Sequence, residues 1–187
     1  MNVWLVGLGL ALLCTVSAES ECSEDLNQWT GKWYVTAVAS NCEHMLKHKD
    51  KIKILTNNVS VNEDGKLQIN ANFPNHHRKG GHGCKKIEIV FEKLADGTYS
   101  HTSDRNFTKK MEVVSTDCKT YIIAHVQIKR NEKTSESLMM QTKEPEPSPE
   151  HQEKFSKIAE NEGYTKEKII FPKGMACENE AEEMPAA

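Results

Sequence analysis

The sequence predicts an all-β fold: an up-and-down antiparallel sandwich or barrel of eight short strands, with one C-terminal α-helix packed on its outside. Three observations carry this. Apolar and polar residues alternate with period 2 through most of residues 31–142, turn signals such as Asp64-Gly65 and Asp96-Gly97 separate the runs, and helical periodicity enters only after Pro145. Eight strands followed by one helix fit a closed eight-stranded barrel, whose interior has room for one small ligand.

The ends bound the folded part. Residues 3–14 are almost wholly apolar, and Val16-Ser17-Ala18 sets small residues before the polar Glu19, the pattern of a signal peptide over residues 1–18. The run is too short to span a bilayer, which takes about 20 apolar residues. With no later membrane candidate, a secreted, extracellular protein is expected. Residues 19–177 then form one domain, and residues 178–187 an acidic, disordered tail. The formal net charge is −3, with Lys and Glu dispersed along the chain, so nothing argues for a nucleic-acid partner. His76, His77, His82 and Cys84 share a Gly-rich loop without ligand spacing, so neither a metal nor a cofactor is expected. Cys14 leaves with the signal peptide. Cys22, Cys42, Cys84, Cys118 and Cys177 remain, and their odd number leaves at least one thiol free or paired between molecules. Asn58-Val59-Ser60 and Asn106-Phe107-Thr108 are sequons for N-glycosylation at Asn58 and Asn106.

Taken in order, Gly31 to Ser40 has apolar residues on both parities, so a strand buried on both faces is expected, with Trp33 requiring a cover. Residues 41–50 are polar and basic around Met45 and Leu46 and read as a long loop. Ile52, Ile54, Val59 and Val61 mark a second strand, which Asn62-Glu63-Asp64-Gly65 reverses. Leu67, Ile69, Ala71 and Phe73 alternate with polar residues in the third, and Ile87, Ile89 and Phe91 do so in the fourth. Residues 99–103 make a short fifth strand, and Met111 and Val113 share one face of the sixth. After the turn at Thr116-Asp117-Cys118 comes a β-branched seventh strand, Tyr121 to Ile128, and Leu138 to Thr142 makes the eighth. The helix then starts with Ser148 as N-cap and Pro149 at its first position, carries Phe155, Ile158, Ala159 and Glu162 on one stripe, and stops at Gly163. Ile169 to Phe171 adds a short strand.

Over nearly the whole mature length the chain resembles a lipocalin. Gly31-x-Trp33 is similar to the family's first block, Thr116-Asp117-Cys118 with Tyr121 behind it to the second, and Glu144-Pro145 to the third. Within the family the chain is similar to the branch of avian extracellular fatty-acid-binding proteins, lipocalin-type prostaglandin D synthases and secreted epididymal lipocalins. The stretches that carry this are Gly31-Lys32-Trp33-Tyr34 through Asn41, Gly83-Cys84-Lys85-Lys86, and Tyr164-Thr165. The resemblance implies an eight-stranded up-and-down antiparallel β-barrel closed at one end by Gly31, Trp33, Thr116, Asp117 and Lys143. It also implies the family's usual disulfide, Cys84 to Cys177. Lys143 stands where lipocalins usually carry Arg, which keeps a cation for the Trp33 ring but not a planar fork of donors. In a lipocalin the N-terminal segment crosses the closed end. Either Cys22 bridges to Cys118, leaving Cys42 free near the mouth, or Cys118 stays a buried thiol.

A synthase of this family needs a nucleophilic Cys on the second strand. The matching position is Leu55, so no catalytic residue is assigned and the isomerase is the lesser alternative. A carrier needs only an apolar cavity with a few polar groups. Alternation proposes Ile52, Ile54, Ile69, Ala71, Phe73, Ile87, Ile89, Phe91, Met111, Val113, Ile122, Ala124, Val126 and Met139 as its lining, with His101, Ser137 and Gln141 as polar anchors. Each serves equally well as packed barrel core. The inward positions assigned on strands seven and eight contain no Lys or Arg. A small hydrophobic ligand (retinoid, fatty acid, steroid or odorant-like) is therefore expected in a glandular fluid such as epididymal secretion, in preference to a siderophore or other anion. Any acid would meet Lys47, Lys49 or Lys51 at the mouth. A cell-surface receptor is the other expected partner.

Overall fold

The computed structural model of the protein describes residues 26–74, 84–103 and 107–177. The expected signal peptide, Cys22, the histidines of residues 75–83, Asn106 and the expected acidic tail lie outside the described residues. Within them the chain runs β1 (Gly31–Ser40), α1 (Glu43–Lys47), β2 (Leu55–Val61), β3 (Leu67–Pro74), β4 (Cys84–Lys93), β5 (Tyr99–Ser103), β6 (Phe107–Thr116), β7 (Tyr121–Arg130), β8 (Lys133–Thr142), α2 (Pro149–Asn161) and β9 (Ile169–Ile170). Consecutive strands from β2 to β8 pair antiparallel, and β1 pairs with both β2 and β8. This closes the eight-stranded barrel and removes the sandwich alternative. β9 adds to the far half of β1 through Val38–Ile170 and Ala39–Ile169.

Alternation sorts the apolar residues onto two faces. Inside, Trp33, Val59, Leu67, Ile69, Ile89, Phe91, Tyr99, Met111, Ile122, Ala124 and Val126 pack together. Outside, Ala37, Ala39, Tyr121, Ile123, Leu138 and Met140 are covered by Phe155 and Ala159 of α2. β1 serves both clusters because a bulge between Val35 and Ala37 shifts its register. Trp33 points into the barrel before the bulge, whereas Ala37 and Ala39 lie under the helix after it, an effect expected of one extra residue in a strand. The double-sided burial seen in the sequence has this cause.

Local signals hold the helix as expected. The Ser148 hydroxyl accepts from the His151 N–H at 3.2 Å, Pro149 opens the helix, and Gly163 at φ +85° follows its end. Other boundaries differ from the sequence reading. Residues 41–50 hold the short α1, β2 begins at Leu55 rather than Ile52, β6 runs from Phe107 through Met111 and Val113 to Thr116, and β8 begins at Lys133. Cys84 and Cys177 form a disulfide with Cα atoms 6.0 Å apart, tying the start of β4 to the segment behind β9. Cys118 is disulfide-bonded as well, so it is not a buried free thiol, and Cys42 is an exposed free thiol.

Candidate functional site

The closed end is built around the Trp33 ring, which is fully buried and donates from Nε1 to the Trp29 carbonyl at 2.7 Å. Lys143 covers it, with Nζ 4.0 Å from the ring centroid and donating to the Thr30 carbonyl at 2.9 Å. Desolvation lowers the pKa of this ammonium. Gly31 makes the arrangement fit: its φ is +104°, and a Cβ there would meet Lys143 Nζ at 3.3 Å. The cation expected over the Trp33 ring is therefore present, held by one backbone acceptor.

The turn from β6 to β7 completes this end. Thr116 Oγ1 donates to the Tyr121 carbonyl at 2.7 Å, while Asp117 accepts from the amides of Lys119, Thr120 and Tyr121 and from the Thr120 hydroxyl. Desolvation pushes the Asp117 carboxyl up, but these donors outweigh it and hold the pKa at about 2.

Above this floor, Asn57 Nδ2 donates to Gln141 Oε1 at 2.6 Å. Most of the residues expected to line a cavity share the inner face of the barrel. Ile69, Ile89, Phe91, Met111, Ile122, Ala124 and Val126 are buried in the inner cluster, and Ile87, Val113 and Met139 pack against it half-buried. Ala71 is buried on the same face of β3, with Phe73 half-buried beyond it, and Ser137 pairs with Val126 on β8. Two expected lining residues are elsewhere. Ile52 precedes β2 and is half-buried in neither cluster. Ile54 bridges to Met175, its N–H donating to the Gly174 carbonyl at 3.0 Å and its carbonyl accepting from Ala176 at 2.9 Å. It shares its parity with Thr56, which bonds Asn72 on the outside. Leu55, Asn57 and Val59 are the residues of β2 that face in, because the C-terminal segment covers the opposite face.

His101 has a structural use. β4 and β5 pair only through Glu92–Ser100 and Lys93–Tyr99, and beyond them His101 Nδ1 donates to the Val90 carbonyl at 2.9 Å. Its ring also lies 6.1 Å from that of Phe91 and 6.4 Å from that of Phe107.

Directly opposite His101 on β6 is Lys109, which the sequence reading missed. It shares a face with Met111 and Val113, and its Nζ lies 5.8 Å from the centroid of Phe91. Burial lowers its pKa, and no carboxylate forms an ion pair with it among the described residues. The same parity carried to the rim brings Arg130 and Lys133 onto the inner face, opposite each other. The inward positions expected on the seventh and eighth strands hold no Lys or Arg, but Lys109 on β6 and this rim pair lie outside that set. The signal was present as the alternation Phe107, Lys109, Met111, Val113. Marking that face by Met111 and Val113 alone conceals it.

The model of the lipocalin / cytosolic fatty-acid binding protein family matches residues 30–176. The extracellular fatty acid-binding protein of Coturnix japonica is 32% identical over 179 residues, covering 95% of this chain and 97% of that protein. Prostaglandin-H2 D-isomerase of Ovis aries is 26% identical over 156 residues, covering 81% and 78%. Among solved structures, Ex-FABP, described as a siderocalin with dual ligand specificities, superimposes with a TM-score of 0.70 at 27% identity, covering 85% of this chain and 99% of that one.

Proposed function

The chain belongs to the lipocalin / cytosolic fatty-acid binding protein family, and on that footing we propose that it is a secreted, non-enzymatic carrier for a hydrophobic molecule with a single acidic head, of the fatty-acid class. One observation carries this reading: Lys109 shares the apolar inner face of β6 with Met111 and Val113 and has no ion-pair partner among the described residues. A half-buried ammonium without a counter-ion is costly, and a carboxylate ligand supplies the missing charge while its chain lies against Phe91, Met111 and Val126. The name of the Coturnix relative supports the same class. Neutral retinoids, steroids and odorants would leave Lys109 unpaired. A multiply charged siderophore would call for several deep cations, and the others on the inner faces of β7 and β8, Arg130 and Lys133, are exposed at the rim.

Isomerase chemistry lacks its nucleophile. Leu55 occupies the inward position on β2, Cys42 is exposed, and Cys84, Cys118 and Cys177 are oxidised. Secretion rests on the leader of residues 1–18 and on the disulfides. Cys22 is the partner proposed for Cys118. Asn58 is exposed on the outer face of β2, a site where a glycan meets neither α2 nor the barrel mouth. The carrier reading is tested by displacing an apolar fluorescent probe with a long-chain fatty acid, the matching alcohol, retinol and a steroid. The acid is expected to displace most tightly. A preference for the neutral ligands, or no displacement by any of them, would refute the reading.

A further inference from the structure

Charges that are dispersed along the sequence are separated by the fold. At the open end, α1 with the residues behind it and the β7–β8 hairpin flank the mouth. Segments 43–53 and 129–133 each carry two more positive than negative charges, with Glu43, Asp50 and Glu132 as their acids. Lys51, Lys53, Lys129, Arg130 and Lys133 are all exposed, and none has an ion pair among the described residues. Three cations toward the closed end are engaged instead. Lys66 meets Glu92 at 3.0 Å, Lys110 meets Asp96 at 3.8 Å, and Lys143 is bonded to Thr30.

The hairpin sharpens the contrast. Arg130 and Lys133 are direct cross-strand partners, and like charges placed opposite each other cost stability in a sheet. A binding partner rich in anions removes that cost. Half-buried Met45 and Leu46 sit on α1 among these cations, with half-buried Ile52 just behind.

We propose that the open rim docks on an anionic lipid surface, with Lys51, Lys53, Arg130 and Lys133 meeting lipid phosphates and Met45 and Leu46 entering the headgroup layer. Basic residues mixed with a few apolar ones are the chemistry of a protein lying on such a surface. A sulfated polysaccharide fits less well, because the cations flank an opening and form no continuous groove, and apolar side chains stand among them. Docking in this orientation sets the barrel mouth against the bilayer, where an amphiphile enters or leaves without crossing water. It does not depend on which ligand fills the barrel.

The test is sedimentation of the full-length protein with vesicles of mixed phosphatidylserine and phosphatidylcholine, beside vesicles of phosphatidylcholine alone. Binding is expected only to the anionic vesicles, and it should weaken as salt rises. Arg130→Glu with Lys133→Glu should lower the partition coefficient by at least about tenfold. Lys119→Glu, an exposed change in the closed-end turn, should leave it unaltered. Equal binding to both vesicle types, equal effects of the rim and closed-end changes, or retention on heparin without vesicle binding would each overturn docking. Apolar-probe uptake measured on the same samples shows that each variant is folded. A protein that takes up probe but ignores vesicles refutes the docking and leaves the carrier reading standing.

Discussion

Replacing Lys109 with Met separates the two roles that this side chain plays, because the length and most of the volume are kept while the charge is lost. In the empty barrel the ammonium is a burden. Its folded pKa lies below the ordinary 10.5 through desolvation, so between the two values the unfolded chain holds the proton more firmly. The native state therefore gains stability as pH rises through that window, and at neutral pH it bears the cost of the buried charge. Lys109→Met should raise the stability of the ligand-free protein at neutral pH, and the gain should shrink in alkali. With a carboxylate ligand the sign reverses. A hydrogen bond to a charged group contributes about 1.5–3 kcal/mol, so the variant should bind a long-chain acid about tenfold to 150-fold more weakly. The matching primary alcohol should change by less than about threefold, since it never used the charge. Lys109→Arg, which keeps the cation, should bind the acid more tightly than Lys109→Met does. Displacement of an apolar fluorescent probe reads both ligands in one assay, and thermal unfolding reads the empty protein. Unchanged acid affinity in Lys109→Met would refute the reasoning. So would equal losses for acid and alcohol, which would assign Lys109 to packing alone.

Three further outcomes follow from the same geometry. Gly31→Ala should lower stability by about 1–3 kcal/mol, because φ of +104° excludes a side chain and the new Cβ crowds Lys143 Nζ; a thermal midpoint unchanged from the wild type would contradict the latch over Trp33. Asp117, held at about 2, contributes stability that is present above the unfolded carboxyl value near 4 and is lost as pH falls toward 2. Screened by solvent, this amounts to about 1–2 kcal/mol, and Asp117→Asn should flatten that part of the acid-unfolding curve. In protein made through a eukaryotic secretory pathway, Asn58→Gln should abolish a glycosidase-sensitive mass at that peptide and leave the thermal midpoint unchanged; an unmodified Asn58 in the wild type would refute its use.

The features legible from sequence are those in which one residue determines its own surroundings. Ser148, Pro149 and Gly163 bound α2 because cap and stop chemistry is local. Trp33 announced a covered site because so large a ring is costly to leave in water. The inward set on β7 could be chosen because Ile122, Ala124 and Val126 are uniformly apolar, whereas the other parity includes His125, which meets Glu162 near the end of α2 at 2.9 Å. β2 was harder. Ile52 and Ile54 are as apolar as any lining residue, and what turns Ile54 away from the cavity is a segment more than a hundred residues later that pairs with its backbone.

Lys109 shows why the candidate site was less legible than the fold around it. Hydrophobic periodicity locates a buried face by its apolar members, so a face containing one cation looks shorter than it is. On β6 only Met111 and Val113 mark the face, and Lys109, one step earlier on the same parity, is passed over for this reason. The bulges in β1 and β6 add to the difficulty, since each breaks the period-2 register on which the face assignment depends. Register in such a strand is better fixed from its partners. Lys109 pairs with His101 on one side and Ile128 on the other, and Ile128 belongs to the inner cluster. Cross-strand pairing alone therefore sends Lys109 inward, whatever its polarity, and a polar residue paired into an apolar face is the place to look for a ligand's head group.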